Sequence, residues 1–110
     1  MARSDLWTRD QQILALRHYH RTPFGQLDQD NKAIQELAAI IGRSPGALAM
    51  KTANFASLDP TIKQKGLSGA SKADELLWNE FYDNPESLAA EAEQVYAKMV
   101  KNRCQSRQHP

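Results

Sequence analysis

Residues 31–55, NKAIQELAAIIGRSPGALAMKTANF, decide the fold of this 110-residue chain. Their first half carries apolar side chains at i, i+3, i+4 and i+7, a pattern typical of one helix face. These side chains are Ile34, Leu37, Ala38 and Ile41. Asn31 lies one turn ahead of Ile34, where its side-chain oxygen can accept hydrogen bonds from the free N–H groups of the first turn. The pattern predicts a helix that begins just after Asn31.

A second helix is predicted to follow almost at once. Gly42 comes after the last apolar position, where helices often end in a left-handed residue. Ser44 can cap the next helix, and Pro45 suits its first position because that N–H has no intrahelical partner. The second helix then runs from Pro45 to about Phe55. Two helices joined by a short glycine-containing turn form a helix-turn-helix.

The second helix has two different faces. Leu48, Thr52 and Phe55 share one side at the helical period, and we expect them to pack on the other helices. A second group shares the other side, and we expect it to point outward. Its members are Ala47, Met50, Lys51 and Asn54.

The outward group is typical of a recognition helix for the major groove of DNA. Small residues permit close approach, an amide can pair with adenine, and a cation can bind guanine or phosphate. The helix start and the turn before it suit a phosphate. The predicted DNA-binding residues are Arg43, Ser44, Gly46, Ala47, Met50, Lys51 and Asn54, with Lys63 and Lys65 in a later loop. The alternative is a plain helical hairpin in which Lys51 and Asn54 are merely solvated.

Working outward, the N-terminal side predicts one more helix. Thr8 and Gln11 have the spacing of a capping box. The helix is predicted from Arg9 to Arg21, since the residue before Pro23 avoids helical backbone angles. With residues 31–55 it makes a three-helix unit.

The C-terminal side predicts a loop and two further helices. Residues 59–70 are predicted to form the loop. Its lysines, Lys63 and Lys65, either bind phosphate or belong to a solvated connector. Ser71 and Asp74 open a helix as a capping box. This helix carries an aromatic-aliphatic stripe, which we interpret as core rather than as a base-stacking platform. The stripe comprises Leu77, Trp78, Phe81 and Tyr82, with Leu76 to its side.

The last helix is predicted to open at Asn84-Pro85 and to bury one apolar stripe. That stripe comprises Leu88, Ala92, Val95, Tyr96 and Met99. Tyr96 and Met99 alternatively form a dimer seam. The predicted architecture is all-α, with one domain over residues 1–100 and a polar, basic tail over 101–110.

Composition excludes several classes of protein. No apolar run is long enough for a membrane span, and the N-terminus lacks the apolar segment of a signal peptide. A single Cys104 cannot form an internal disulfide, which fits a cytoplasmic protein. The net charge of +1 hides an asymmetry, because residues 1–66 carry +3 and residues 67–100 carry −5. A basic N-terminal part is expected of a DNA-binding surface.

The three-helix unit resembles the Myb/SANT kind of DNA-binding fold. The longer chain resembles the N-terminal domain that precedes an HNH nuclease domain in bacterial restriction endonucleases. The resemblance covers residues 7–82 and is most specific in the run from Gly42 to Pro60. It rests further on Trp7-Thr8, Leu14-Ala15-Leu16 with Tyr19, Pro23-Phe24-Gly25, Gly66-Leu67-Ser68 and Trp78-Asn79-Glu80-Phe81. It implies a module that delivers a nuclease to target or modified DNA.

The catalytic half of such an endonuclease has no counterpart in this sequence. An HNH centre needs histidines that hold a divalent cation and activate water. His18 and His20 are two residues apart on a helix and point nearly opposite ways, and His109 lies in the tail. We therefore predict no catalytic residues, no metal site and no cofactor.

Three functional interpretations remain open. The first is a module that binds duplex DNA, modified or not, through residues 45–55, with a nuclease domain or subunit as a further partner. The second is a protein-interaction or homodimerisation domain that uses the acidic C-terminal helices, or a small helix-turn-helix transcriptional regulator. The third is a hydrolase in its own right, for which the sequence offers no convincing acid–base pair.

Overall fold

The computed structural model describes residues 7–22, 30–61 and 70–108, with side chains described as far as residue 102 on the last helix. This part of the chain is all-helical. Its five helices are α1 (Arg9–Arg21), α2 (Lys32–Ile41), α3 (Pro45–Ala56), α4 (Lys72–Phe81) and α5 (Pro85–Gln108). The predicted all-α architecture of three helices followed by two more is thus confirmed.

Helix α1 is the centre of the packing, because it contacts α3, α4 and α5. Its middle carries four apolar residues in succession, and Ile13, Ala15 and Leu16 have no solvent exposure. A helix covered on several sides needs apolar residues on more than one stripe. This explains why the apolar pattern of the α1 sequence is broad rather than cleanly periodic.

The local signals around α2 and α3 act as the sequence predicts. The Asn31 side chain accepts hydrogen bonds from two N–H groups in the first turn of α2. Gly42 ends α2 in the left-handed region, with φ of 89°. The Ser44 hydroxyl accepts a hydrogen bond from the Ala47 N–H at 3.1 Å, and Pro45 is the first residue of α3. Leu48 is fully buried beyond this turn, and the predicted order of helix, glycine-containing turn and helix is present.

The two capping boxes are also confirmed. Thr8 and Gln11 exchange hydrogen bonds at the start of α1, and Ser71 and Asp74 do so at the start of α4. Each capping box satisfies two N–H groups that would otherwise lack a partner. The start of each helix is therefore fixed by the residue pair that the sequence spacing indicates.

The aromatic stripe of α4 is mostly core. Leu77, Trp78 and Phe81 are buried, as predicted, whereas Tyr82 is 53% exposed. Tyr82 follows the last residue of α4, so it leaves the packed face where the helix ends. The prediction of a buried Tyr82 is wrong for this reason.

The last helix is longer than the sequence pattern predicts. Residues 101–108 continue α5 instead of forming a separate tail. This segment contains no Gly, and the first proline after Pro85 is Pro110. Once a helix exists, adding residues costs little, so it continues until a residue breaks it.

Gly42→Ala is expected to lower the free energy of unfolding by about 1 kcal/mol, because a β-carbon disfavours the left-handed conformation. Apart from the neighbouring residues of the chain, no atom lies within 4 Å of the position that the β-carbon would take, so the cost comes from the local backbone conformation rather than from tertiary contacts. Urea denaturation measures this loss. Gly42→Asn is the control and should lose less, since asparagine tolerates this conformation better. Equal losses in the two variants would contradict the explanation.

Candidate nucleic-acid interface

The exposed face of α3 is uncharged and made mostly of small residues. Met50 stands at its centre with 65% of its surface exposed. Partly exposed residues surround it, namely Gly46, Ala47, Ala53, Asn54 and Ser57. The opposite flank, formed by Leu48, Thr52 and Phe55, has no solvent exposure. The structure therefore brings Gly46, Ala47, Met50 and Asn54 together on one accessible surface, which we call the α3 face.

Lys51 does not belong to the α3 face. Only 8% of its surface is exposed, and its Nζ donates hydrogen bonds to both carboxylate oxygens of Asp74, at 3.1 and 3.2 Å. The same Nζ lies 5.1 Å from the centre of the Trp7 ring, which adds a cation–π contact. The prediction that Lys51 points outward to bind DNA is wrong, because its ammonium group is held by the start of α4.

Asp74 is the common acceptor of a buried network between three helices. Its side chain is fully buried. Oδ1 also accepts a hydrogen bond from Gln12 Nε2 at 2.8 Å, and Oδ2 accepts one from the Ser71 N–H at 3.1 Å. Lys51 supplies the matching positive charge. This carboxylate thus joins α1, α3 and α4, as a buried charge must be both paired and hydrogen-bonded.

The sequence contains a signal for this network, but an ambiguous one. Around the helix axis, Lys51 lies between the outward Asn54 and the buried Leu48. The helical period alone therefore allows its side chain to point either to solvent or to the core. Asp74 is 23 residues further on and was assigned only to the capping box. Helical periodicity places a residue on a face but does not identify a distant partner.

Arg43, the second predicted cation, packs against Gln11 of α1 and against Trp7, which lies two residues before that helix. Its Nη2 donates a hydrogen bond to Gln11 Oε1 at 3.2 Å, and its Cζ lies 4.8 Å from the centre of the Trp7 ring. Gln11 also donates from Nε2 to the Ile41 carbonyl at 3.2 Å. Arg43 therefore helps to fix the turn of the helix-turn-helix to α1. Lys63 and Lys65 lie outside the described residues.

An aromatic and acidic cluster fixes the segment after α3. The Tyr19 hydroxyl donates a 2.6 Å hydrogen bond to Asp59 Oδ2, and His20 stacks on Trp78 with ring centres 5.5 Å apart. Asp59 Oδ1 accepts bonds from the N–H and hydroxyl of Thr61. No sequence pattern indicated the contacts of Tyr19 and His20, because Asp59 and Trp78 lie far away along the chain.

Two pKa shifts follow from the Tyr19–Asp59 contact. Burial alone would raise the pKa of Asp59, but the hydrogen bonds from Tyr19 and Thr61 outweigh it and hold this pKa below the ordinary 3.8. Burial, together with the bond to Asp59, raises the pKa of the Tyr19 hydroxyl. Both shifts favour the neutral phenol hydrogen-bonded to the carboxylate at neutral pH.

His18 and His20, the two histidines that the structure describes, both contact neighbouring side chains. His18 Nε2 lies 3.2 Å from the Thr22 hydroxyl, whereas His20 packs on Trp78. Burial lowers the pKa of both imidazoles. In the part of the chain that the structure describes, no group of three or more His, Cys, Asp or Glu side chains is arranged to hold a metal ion.

Comparison of the chain with protein-family models, with curated proteins and with solved structures found no match. Within residues 7–22, 30–61 and 70–108, no helix combines the length and the apolar character that crossing a membrane requires. The structure itself shows that this protein is an all-helical domain that contains a helix-turn-helix.

Lys51→Met is expected to lower the free energy of unfolding by about 3 kcal/mol, because it leaves the buried Asp74 carboxylate without its counter-ion. Lys98→Met is the matched control. Lys98 pairs with Asp10 at 3.0 Å, but its side chain is 61% exposed, so its loss should cost less than about 1 kcal/mol. Denaturant unfolding compares the two. Similar small losses would show that the Lys51–Asp74 pair contributes little.

Tyr19→Phe is expected to lower the free energy of unfolding by about 1–2 kcal/mol at pH 7, through loss of the hydrogen bond to Asp59. Because folding lowers the pKa of Asp59, the stability it contributes is present above 3.8 and is lost as the pH falls through its folded value. The difference in free energy of unfolding between Tyr19→Phe and the parent should therefore become smaller in acid. Urea titrations between pH 7 and about pH 3 measure this difference. Tyr82→Phe, at an exposed tyrosine, should match the parent throughout. A pH-independent deficit in Tyr19→Phe would contradict the proposed charge-assisted bond.

Proposed function

We propose that this chain is a duplex-DNA-binding module that places α3 in the major groove. The observation that carries the proposal is the accessible α3 face beside a helix-turn-helix turn. Met50 is 65% exposed at its centre, and Asn54 lies about one turn further along. Small side chains there allow the helix to approach base edges closely, and an asparagine amide can pair with adenine.

The backbone at the start of α3 supports the same orientation. The first N–H groups of a helix carry partial positive charge and suit a phosphate. Ser44 is exposed there, and its hydroxyl already accepts the Ala47 N–H. We propose that this end meets the DNA backbone while Ala47, Met50 and Asn54 face the bases.

The burial of Lys51 changes the electrostatics of this proposal. With the Lys51 ammonium engaged by Asp74 and Arg43 stacked on Trp7, the α3 face contributes no free cation of its own. Few phosphates are then neutralised, and the affinity should depend weakly on salt. Most of the specific binding should come from base contacts and shape.

We also propose that the module acts together with a nuclease. The likeness to the domain ahead of an HNH nuclease suggests that the chain delivers a nuclease domain or subunit to its target, modified or unmodified. In this scheme the chain itself binds and does not cut. Incubation with duplex DNA and Mg²⁺ or Mn²⁺ should leave the DNA intact.

Met50→Glu tests the DNA-binding proposal, because it places a negative charge at the centre of the α3 face without disturbing the core. We expect it to weaken binding to a pool of random-sequence duplexes at least about tenfold, through repulsion of phosphate. Asn54→Ala should leave binding to that pool nearly unchanged but weaken binding to the adenine-containing sequences that the parent selects from it about tenfold, through loss of a base contact. Fluorescence anisotropy at about 50 and 200 mM salt, with methylated and unmethylated pools, measures both effects.

Leu76→Glu is the matched control. Leu76 is 61% exposed on α4, close to the exposure of Met50, so the same kind of change is made on another surface. It should bind DNA like the parent, and all three variants should keep the parental melting temperature. The proposal is contradicted if the parent binds no duplex, or if Met50→Glu and Leu76→Glu weaken binding equally.

A protein-interaction domain is the second candidate. The uncharged α3 face favours it, since a surface with a central Met and small neighbours also suits a partner helix. In that case Met50→Glu would abolish capture of the partner and leave DNA affinity unchanged. The same variants therefore separate the two functions.

A further inference from the structure

A second accessible feature lies away from the α3 face. Helices α1, α2 and α5 enclose an open groove of about 670 Å³, to which α3 contributes no lining residue. We call it the α1–α2–α5 groove. Its size suits several large side chains of a docked helix, which is a common mode of recognition.

The base of the groove is apolar. Leu14 of α1 and Ala92 of α5 are almost fully buried beneath it, and Leu37 of α2 is partly exposed. Tyr96 stands on the α5 side with 46% of its surface exposed. Water therefore covers apolar surface that a docked helix would bury.

Helix α5 carries a second apolar stripe toward this groove. Its core stripe, Leu88, Ala92 and Val95, packs inside the domain. Ala89, Tyr96 and Val100 follow at i, i+7 and i+11, on the adjoining side of the helix. Positions at this spacing share one helix face, and Glu93 occupies the i+4 position between the apolar residues. The apolar surface of α5 is thus wider than its own domain covers.

Charges of both signs border the groove. Arg17 and Arg21 lie on the α1 side, whereas Glu36 lies on α2 and Glu93 on α5. None of these four side chains forms an ion pair with another described residue. Other charged residues nearby do form such pairs, namely Arg9 with Glu80 and Glu91, and Asp10 with Lys98.

We propose that the occupant of the α1–α2–α5 groove is the α5 helix of a second copy of this chain, in a two-fold symmetric dimer. In such a dimer each surface meets its own copy, so it must be complementary to itself. Two cations and two anions around one apolar base meet this condition. Glu93 of each copy then approaches the partner's Arg17, and Tyr96 enters the partner's groove.

The balanced charge argues against other occupants. A strongly acidic helix would meet Glu36 and Glu93, and a strongly basic one would meet Arg17 and Arg21. Like charges brought together at an interface strongly weaken association. The α3 face stays open in the proposed dimer, so the proposal is independent of whether the chain binds DNA.

Sedimentation equilibrium of the full chain, from about 1 µM to about 500 µM, tests the proposal through the concentration dependence of mass. The parent should dimerise. Tyr96→Ala, Glu93→Arg and Arg17→Glu should each raise the dimer dissociation constant at least about tenfold. Glu75→Arg, an equal charge change on exposed α4, is the control and should leave the constant unchanged.

An equimolar mixture of Glu93→Arg and Arg17→Glu provides the sharpest measurement. At the contact between positions 17 and 93, the first variant brings arginine against arginine and the second brings glutamate against glutamate. Each variant therefore repels itself there but attracts the other. The mixture should recover the dimer, and circular dichroism should show parental helix content in every variant. Three results would overturn the proposal. The parent could stay monomeric, the variants could leave the dimer unchanged, or the mixture could stay monomeric.

Discussion

The fully buried carboxylate of Asp74 is the constraint on which this arrangement of helices depends. An ionised group cannot leave water unless neighbouring groups replace its hydration. Here α1 supplies the amide of Gln12, α3 supplies the ammonium of Lys51, and the N-cap residue of α4 supplies the N–H of Ser71. Apolar packing alone tolerates some sliding between helices, but these directional bonds define one relative position for the three.

This network also determines what the exposed surface consists of. Because Lys51 faces α4, only Met50 and its small, neutral neighbours remain accessible on α3. A helix-turn-helix whose outward cation is used internally cannot rely on phosphate attraction from that helix. The same residue thus links the stability of the domain to the chemistry of its candidate binding surface.

Much of the fold could be predicted because its signals are local. Asn31, Gly42 and Ser44 act within one turn of their own positions, so their spacing sufficed to place the ends of α2 and the start of α3. The apolar periodicity likewise identified Leu48 and Phe55 as buried. Local hydrogen bonds and helical geometry need no knowledge of distant partners.

The candidate site was harder to predict because its outcome depends on contacts between distant segments. Neither the Lys51–Asp74 pair nor the Tyr19–Asp59 bond follows from spacing along one helix. Residues 101–108 were mispredicted for a different, local reason. Their polar composition suggested a tail, but the segment contains no residue that ends a helix. Composition reports solvent exposure well but distinguishes poorly between an exposed helix and a coil.

The packing of the first helix against the last has a consequence for biosynthesis. The apolar run from Ile13 to Leu16 is synthesised well before the helix that covers part of it, which begins only at Pro85. Domains complete their folding only when all of their contacting segments have been synthesised. Until α5 has been synthesised, the nascent chain therefore carries an incompletely covered apolar α1 that chaperones can bind, and the core is complete only once α5 has formed.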